Sequence, residues 1–369
     1  MLTFIILLIL LRTLLAEMVK LAFALHKPAA PSAARFTVVA MHGFLGSKRN
    51  FISIGASLAA SNAPVPCNTL ALDLRNHEGS PHTSTHDLPG MAADLKELLD
   101  TGDVLPTKEQ PQALAEEVRE LIRSPHSPPI VLMADSMGGM AQYYHLWHHH
   151  RKCHSESLAT SKVVASIGID IAPAPRPPSF YRMFDFVKTM QEMPLTDELL
   201  AAALKHSPTT KVHKASSTTG VVGSTDEAEL WLRLALDEEP DPWFCKYLVS
   251  MLEPVADGSK LPGQPIVKTK SGKERKLFYW KSNLPVLAHC ASSCLWREAL
   301  PLKDDPKIQI PSRFIFGEDS PYYTQQATDA IRSYFGHPSI ECVPKAGHFL
   351  HIQKRQQFME SVNAFLKNL

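Results

Sequence analysis

Six cysteines are scattered through the 369 residues, at Cys67, Cys153, Cys245, Cys290, Cys294 and Cys342, and no two of them form a Cys-x-x-Cys pair. That spacing excludes a zinc ribbon or a thioredoxin-type centre. So few cysteines in so long a chain also argue against a disulfide framework. An excess of charge is missing as well. The 38 basic residues face 37 acidic ones, so no electrostatic footprint for nucleic acid is present. Histidine is plentiful, yet no His-Glu-x-x-His arrangement occurs. His145 and His149 have helical i, i+4 spacing without an accompanying glutamate. With His148, His150 and His154 they read as a solvated surface cluster rather than a metal site. No cofactor or metal is expected.

Acids are nearly absent from the start of the chain, where Glu17 is the only one before Asp73. Leu2 to Leu11 is apolar apart from Thr3, and Arg12 interrupts the run. This is shorter than the roughly 20 residues that span a bilayer. The Leu-rich start points to membrane targeting, as a signal peptide or anchor. The acid-poor stretch with Lys20, His26, Lys27 and Arg35 suits a mitochondrial transit peptide, and a helix of the folded domain is the third reading. Residues 1–34 are therefore set apart as a targeting or membrane-associated segment.

Residues of hydrophobic type make up 44% of the chain, enough for a large core. Arg35 to Met41 reads as a buried, β-branched strand, followed by a tight loop at His42-Gly43-Phe44-Leu45-Gly46-Ser47. Phe51 to Ala60 has helical spacing, and Asn68 to Leu72 is a second strand. Arg75 to Asp87, rich in His, Ser, Thr and Pro, reads as an exposed loop. Helices follow over Met91 to Leu99 and Ala113 to Ile122, then a strand at Ile130 to Met133, a helix to His148 and a strand at Val163 to Ile171. This alternation predicts an α/β fold with a mostly parallel sheet and helices on both faces, over residues 35–173 and 303–369. Between them, 174–302 reads as a mainly helical inserted cap, with a helix over Asp226 to Leu236. Strands at Ser312 to Phe316 and Ile340 to Val343 and a closing helix at Gln356 to Leu366 complete the core.

The chemistry sits where the strand at Ile130 runs into Asp135-Ser136-Met137-Gly138-Gly139. A serine on a sharp strand-to-helix turn needs small residues two before and two after it. Ala134 and Gly138 meet that need for Ser136. Asp135 as the attacking group would have Met133 and Met137 at those places, so Ser136 is the nucleophile candidate. A serine needs a base and a group to orient that base. His348, in the loop between the last strand and the last helix, is the base candidate. The acid is Asp170, at the tip of the strand ending Ile169, or alternatively Asp319, after Gly317; Asp170 is favoured. The usual spacing after that glycine falls on Ser320. Backbone N–H groups of Phe44 and Met137 are placed to form an oxyanion hole. His42 is expected to brace the loop.

Taken together these residues resemble the α/β-hydrolase superfamily, and within it alpha/beta hydrolase domain-containing protein 11 and related bacterial esterases. The resemblance is carried by His42 to Ser47 with Asn50-Phe51, by Leu72-Asp73-Leu74-Arg75-Asn76-His77 with Ser80-Pro81-His82, and by Asp135 to Gly139. Ile169 to Pro173, Tyr279 to Leu284 and Ala346-Gly347-His348 also carry it, and it spans Phe36 to Leu366. It implies hydrolysis of carboxylic esters, acylglycerols or short to medium acyl esters, through an acyl-enzyme, and a mitochondrial location. Bacterial members have a serine at the position of Ser320, which supports Asp170 as the acid. The chain departs from the family where Gly-His before the nucleophile is Ala134-Asp135 and at apparent insertions over Lys152 to Lys162 and Ser207 to Asp226. An acyltransferase or thioesterase with the same triad, or a silent binding protein on the same scaffold, are the rival readings.

Overall fold

The computed structural model describes residues 18–30, 33–150, 162–175, 187, 221–222, 252–254, 278–292 and 306–369. The chain divides into two compact units, one made of Met1–Pro177 with Cys294–Leu369 and the other of Pro178–Ser293. Among the described residues five strands precede the second unit: β1 (Phe23–His26), β2 (Phe36–Met41), β3 (Cys67–Leu72), β4 (Ile130–Asp135) and β5 (Val163–Ile169). Among the described residues three short strands lie within it, β6 (Val221–Val222), β7 (Leu252–Pro254) and β8 (Phe278–Trp280), and two follow it, β9 (Ser312–Gly317) and β10 (Pro338–Val343). The helices in chain order are α1 (Ile52–Leu58), α2 (Leu88–Thr101), α3 (Gln112–Arg123), α4 (Ser136–His150), α5 (Leu284–Ser292), α6 (Gln325–Tyr334), α7 (Leu350–Gln353) and α8 (Arg355–Lys367).

The first unit holds a seven-stranded sheet in the order β1-β3-β2-β4-β5-β9-β10, parallel except for β1. Its strands are apolar on both sides because both sides are covered. Val39, Met41, Leu132 and Phe314 face one core with Met91, Val118 and Ala141 of α2, α3 and α4. Their neighbours Val38, Ala40, Met133 and Ile315 face the other with Ile54 of α1 and Phe358 and Val362 of α8. Period-two alternation thus feeds two layers of helices from one set of strands.

Residues 21–26 correct the separation of the first 34 residues from the core. Leu21, Ala22 and Phe23 are buried, and β1 pairs antiparallel with β3, Phe23 against Leu72 and His26 against Thr69. The apolar run at Leu2 to Leu11 lies outside the described residues. Among the described residues no helix is long and apolar enough to cross a membrane.

The second unit, expected to be mainly helical, has among its described residues a three-stranded antiparallel sheet, β6-β8-β7, with α5 following it. The helix expected over Asp226 to Leu236 lies outside the described residues.

The loop Arg75 to Asp87 is not exposed along its length. Arg75, Asn76, His77, Ser80 and His86 are buried. Arg75 makes two 2.7 Å bonds to the Asp94 carboxylate on α2, whose Oδ1 also accepts the Val19 N–H at 2.8 Å. Polar composition suggested solvent, but these polar groups satisfy one another.

Candidate active site

Adjacent strands β2 and β4 mark where the strand order reverses, with β3 to one side and β5 to the other. Ligand crevices of open parallel sheets form outside the carboxyl ends of strands at such a point. Ser136 follows directly from β4 and opens α4. Its φ is 48°, a left-handed conformation costing a non-glycine residue about 1–2 kcal/mol. The turn closes only because Gly138 lacks a side chain: a Cβ there would lie 2.7 Å from the His42 carbonyl oxygen.

Three groups meet at the strand ends. Ser136 Oγ lies 3.1 Å from His348 Nε2, and His348 Nδ1 lies 2.6 Å from Asp170 Oδ2. The second contact fixes the tautomer, with Nδ1–H donating to the carboxylate and Nε2 left to accept the serine proton. Asp170 directly follows β5, is fully buried and has φ 49°. Its Oδ1 accepts the Gly317 N–H at 2.9 Å, and its Oδ2 also accepts a short bond from the Ser320 hydroxyl. Those donors converge because β9, which ends at Gly317, pairs with β5. Tyr322 stacks on the His348 ring at 4.5 Å. Asp319, the alternative acid, is exposed, and its backbone N–H donates to Ala346 O. The structure therefore brings Asp170 to His348 Nδ1 and leaves Asp319 on the surface.

The loop after β2 reaches the nucleophile. A Cβ at Gly43 would sit 3.0 Å from Ser136 Cβ. The Gly43 carbonyl is held on two sides, by His42 Nδ1–H at 2.7 Å and by the Gly46 N–H at 2.9 Å. Because the peptide is planar, fixing that carbonyl fixes the Phe44 N–H that points the other way. His42 Nε2 accepts the Leu74 N–H at 2.9 Å, so the ring braces two loops as expected. His77 does the same, donating from Nδ1 to Arg75 O and accepting the Leu45 N–H at Nε2. Burial lowers His42 to about 3 and His77 well below its ordinary value, so both rings are neutral braces. Met137 lies in the first turn of α4, where backbone N–H groups have no partner within the helix.

Residues 38–360 match the profile of the alpha/beta hydrolase family. The chain belongs to that family. Among its relatives is the sn-1-specific diacylglycerol lipase ABHD11 of Mus musculus, 24% identical over 330 residues, covering 89% of this chain and 80% of the relative. Esterase YbfF of Escherichia coli is 23% identical over 331 residues, covering 90% of this chain and 93% of its own length. A solved structure described as a marine microorganism esterase shares the fold, with a TM-score of 0.60, 20% identity, and coverage of 94% of this chain and 99% of that one.

The site holds residues that sequence reasoning passed over. Ser320 marks, in the sequence, the place where an acid is usual and supports Asp170 as the acid, but its own bond to Asp170 becomes visible only through the β5–β9 pairing. Tyr322 had no signal beyond lying in the same loop. His351 and Asp135 approach to 4.0 Å between Nδ1 and Oδ1. His145, read as part of a solvated cluster, is buried on α4.

Proposed function

We propose that this chain is a serine hydrolase of carboxylic esters that works through an acyl-enzyme. Ser136 Oγ attacks the ester carbonyl as its proton passes to His348 Nε2. Asp170 keeps the imidazole in the tautomer that accepts there and stabilises the imidazolium. Gly317 N–H and the Ser320 hydroxyl hold that carboxylate in place. The N–H groups of Phe44 and Met137 receive the negative charge that develops on the carbonyl oxygen. Collapse breaks the ester C–O bond, and the alkoxide leaves as alcohol with the proton from Nε2. Water then adds to the acyl-enzyme, giving its proton to His348, and the second collapse releases the acid and restores Ser136.

The observation that carries this reading is the unbroken hydrogen-bond chain from Ser136 through His348 to Asp170, assembled from the ends of three different strands. Similarity to a diacylglycerol lipase and to esterases supports an acyl ester, including a lipid ester, as the substrate class. A fluorophosphonate probe tests the nucleophile directly: wild-type protein is expected to be labelled and Ser136→Ala is not. Turnover of p-nitrophenyl esters of graded chain length then defines the acyl preference. A folded protein inert towards every ester and unlabelled by the probe would return the chain to the class of silent binding proteins.

A further inference from the structure

An acyl-enzyme route asks His348 to work twice, and the contact with the serine serves only the first occasion. In the free enzyme Nε2 lies 3.1 Å from Ser136 Oγ and Nδ1 lies 2.6 Å from Asp170 Oδ2. Once Ser136 carries an acyl group, its Oγ is an ester oxygen with no proton to give. The bond to Nε2 is lost at the stage when Nε2 has to take a proton from water. A tether at Nδ1 does not by itself fix the tilt of an imidazole, since hydrogen bonds tolerate a range of angles.

The face of the ring has its own contact. Tyr322 lies 4.5 Å from it between centroids, with 28° between the planes, a stacked arrangement. Phe349 meets the same ring edge-on, at 5.3 Å and 63°. Neither contact depends on the serine hydroxyl, so stacking on Tyr322 persists when Ser136 is acylated.

Tyr322 is itself held by the loop after β9. Its N–H donates to the Ser320 hydroxyl oxygen at 3.2 Å, and that hydroxyl donates to Asp170. Its carbonyl accepts the Thr324 N–H at 3.1 Å. Thr324 caps α6, its side chain accepting the Ala327 N–H at 3.1 Å. Tyr323 stacks on Phe316 of β9 at 5.4 Å and 30°. Pro321 fixes the φ of the residue before Tyr322, and Tyr322 packs against the first of the two cores. The segment Ser320 to Thr324 is thus anchored to the sheet at one end and to α6 at the other. It reaches the acid through one side chain and the base through another.

We propose that Tyr322 is a positioning residue for deacylation: its ring keeps the His348 imidazole aimed while Ser136 is acylated, so that Nε2 can activate the incoming water. The inference rests on the acyl-enzyme reading above. In this step water adds to the acyl carbon and gives a proton to Nε2. The bond from that carbon to Oγ then breaks, and the same proton returns to Ser136. An imidazolium forms on the way, and the negative face of an aromatic ring attracts a cation stacked on it. Tyr322 acts through His348 and not on the substrate. The ring face carries the role, not the hydroxyl.

The test is hydrolysis of p-nitrophenyl butyrate by the full chain, by Tyr322→Leu and by Tyr322→Phe, followed by stopped flow and at steady state, with thermal unfolding of each. The burst of p-nitrophenol reports acylation and the steady phase that follows it reports deacylation. Tyr322→Leu is expected to slow the steady phase roughly 10- to 100-fold, the cost of a misaimed catalytic group. Its burst is expected to slow no more than about fivefold, the loss of the cation–π contribution. Acyl-enzyme then accumulates, and kcat and KM fall together. Tyr322→Phe keeps the ring and is expected to stay within about threefold of wild type in both phases. A folded Leu variant with a wild-type steady phase overturns the proposal, as does one without a burst or one whose burst and steady phase slow equally. A Phe variant as slow as Leu overturns it too. If Tyr322→Leu does not fold, Tyr322→Met, which fills the space without a ring face, is judged by the same outcomes. Wild-type protein inert towards ester and probe removes the hydrolase reading itself, whereas an active wild type with an unaffected Leu variant removes only the role of Tyr322.

Discussion

Two aspartates stand side by side at the carboxyl ends of paired strands, and their surroundings are opposites. Asp170, after β5, gathers a backbone N–H, a hydroxyl and an imidazole N–H. Asp135, ending β4, is equally buried but has one oxygen without a hydrogen-bond partner among the described residues and a neutral aromatic neighbour. Burial alone therefore does not decide what a carboxylate can do. Three donors converge on Asp170 and fix its position, whereas burial pushes Asp135 up to about 7. Under the hydrolase reading, Asp170 is placed to orient the His348 ring, while Asp135 lies between Gly43 and His351.

Substitutions that exchange these characters sharpen the contrast. The largest effect is expected from Asp170→Asn, which keeps the shape but removes the charge and disturbs the tautomer. By the general behaviour of triad acids, kcat falls roughly 10⁴-fold in p-nitrophenyl ester assays while KM changes little. The same change at Asp135 is expected to appear in stability. Its folded value of about 7 lies above the ordinary carboxylate value of 3.8, so the group favours folding fully below about pH 4. That contribution is lost as pH rises through 7. Urea unfolding should show Asp135→Asn gaining on wild type between pH 4 and pH 8, by up to about 4 kcal/mol.

Ser320→Ala removes one donor from Asp170 and makes it more like Asp135. A hydrogen bond to a charged group contributes about 1.5–3 kcal/mol, so kcat should fall about 10- to 100-fold. Retained activity would mean that Gly317 and His348 hold the carboxylate without it. The smallest effect concerns the aromatic neighbour. His351 is lowered to about 3, so its contribution to folding is complete above pH 6.5 and lost as pH falls through that window. From pH 7.5 to pH 5, wild type should lose about 2 kcal/mol that His351→Phe retains, as read from urea midpoints.

Much of the frame was legible because its physics is local. The β-branched runs at Phe36–Met41 and Ile130–Met133 and the small residues flanking Ser136 state strand and turn without reference to anything distant. His348 was legible from its place in the last loop. The choice of Asp170 over Asp319 came from spacing, which left the serine where an acid was expected. The remainder depended on contacts across the chain. Ser320 and Asp170 are 150 residues apart and meet only through strand pairing. The Arg75 to Asp87 loop has the composition of a solvated segment, and nothing in composition reveals that Asp94 satisfies Arg75. β1 was hidden by the apolar segment before it, whose character overshadowed the four residues that complete the sheet.

That edge strand constrains any proteolytic trimming of the chain. Val19 is tied by its backbone to Asp94, Leu21 accepts the Leu105 N–H, and the carbonyl of Ala22 accepts the Asp73 N–H. A cut that also removed β1 would strip the border of β3 and leave its hydrogen-bonding row open to another molecule. A chain lacking residues 19–26 is expected to present that row to other strands, read as self-association in light scattering.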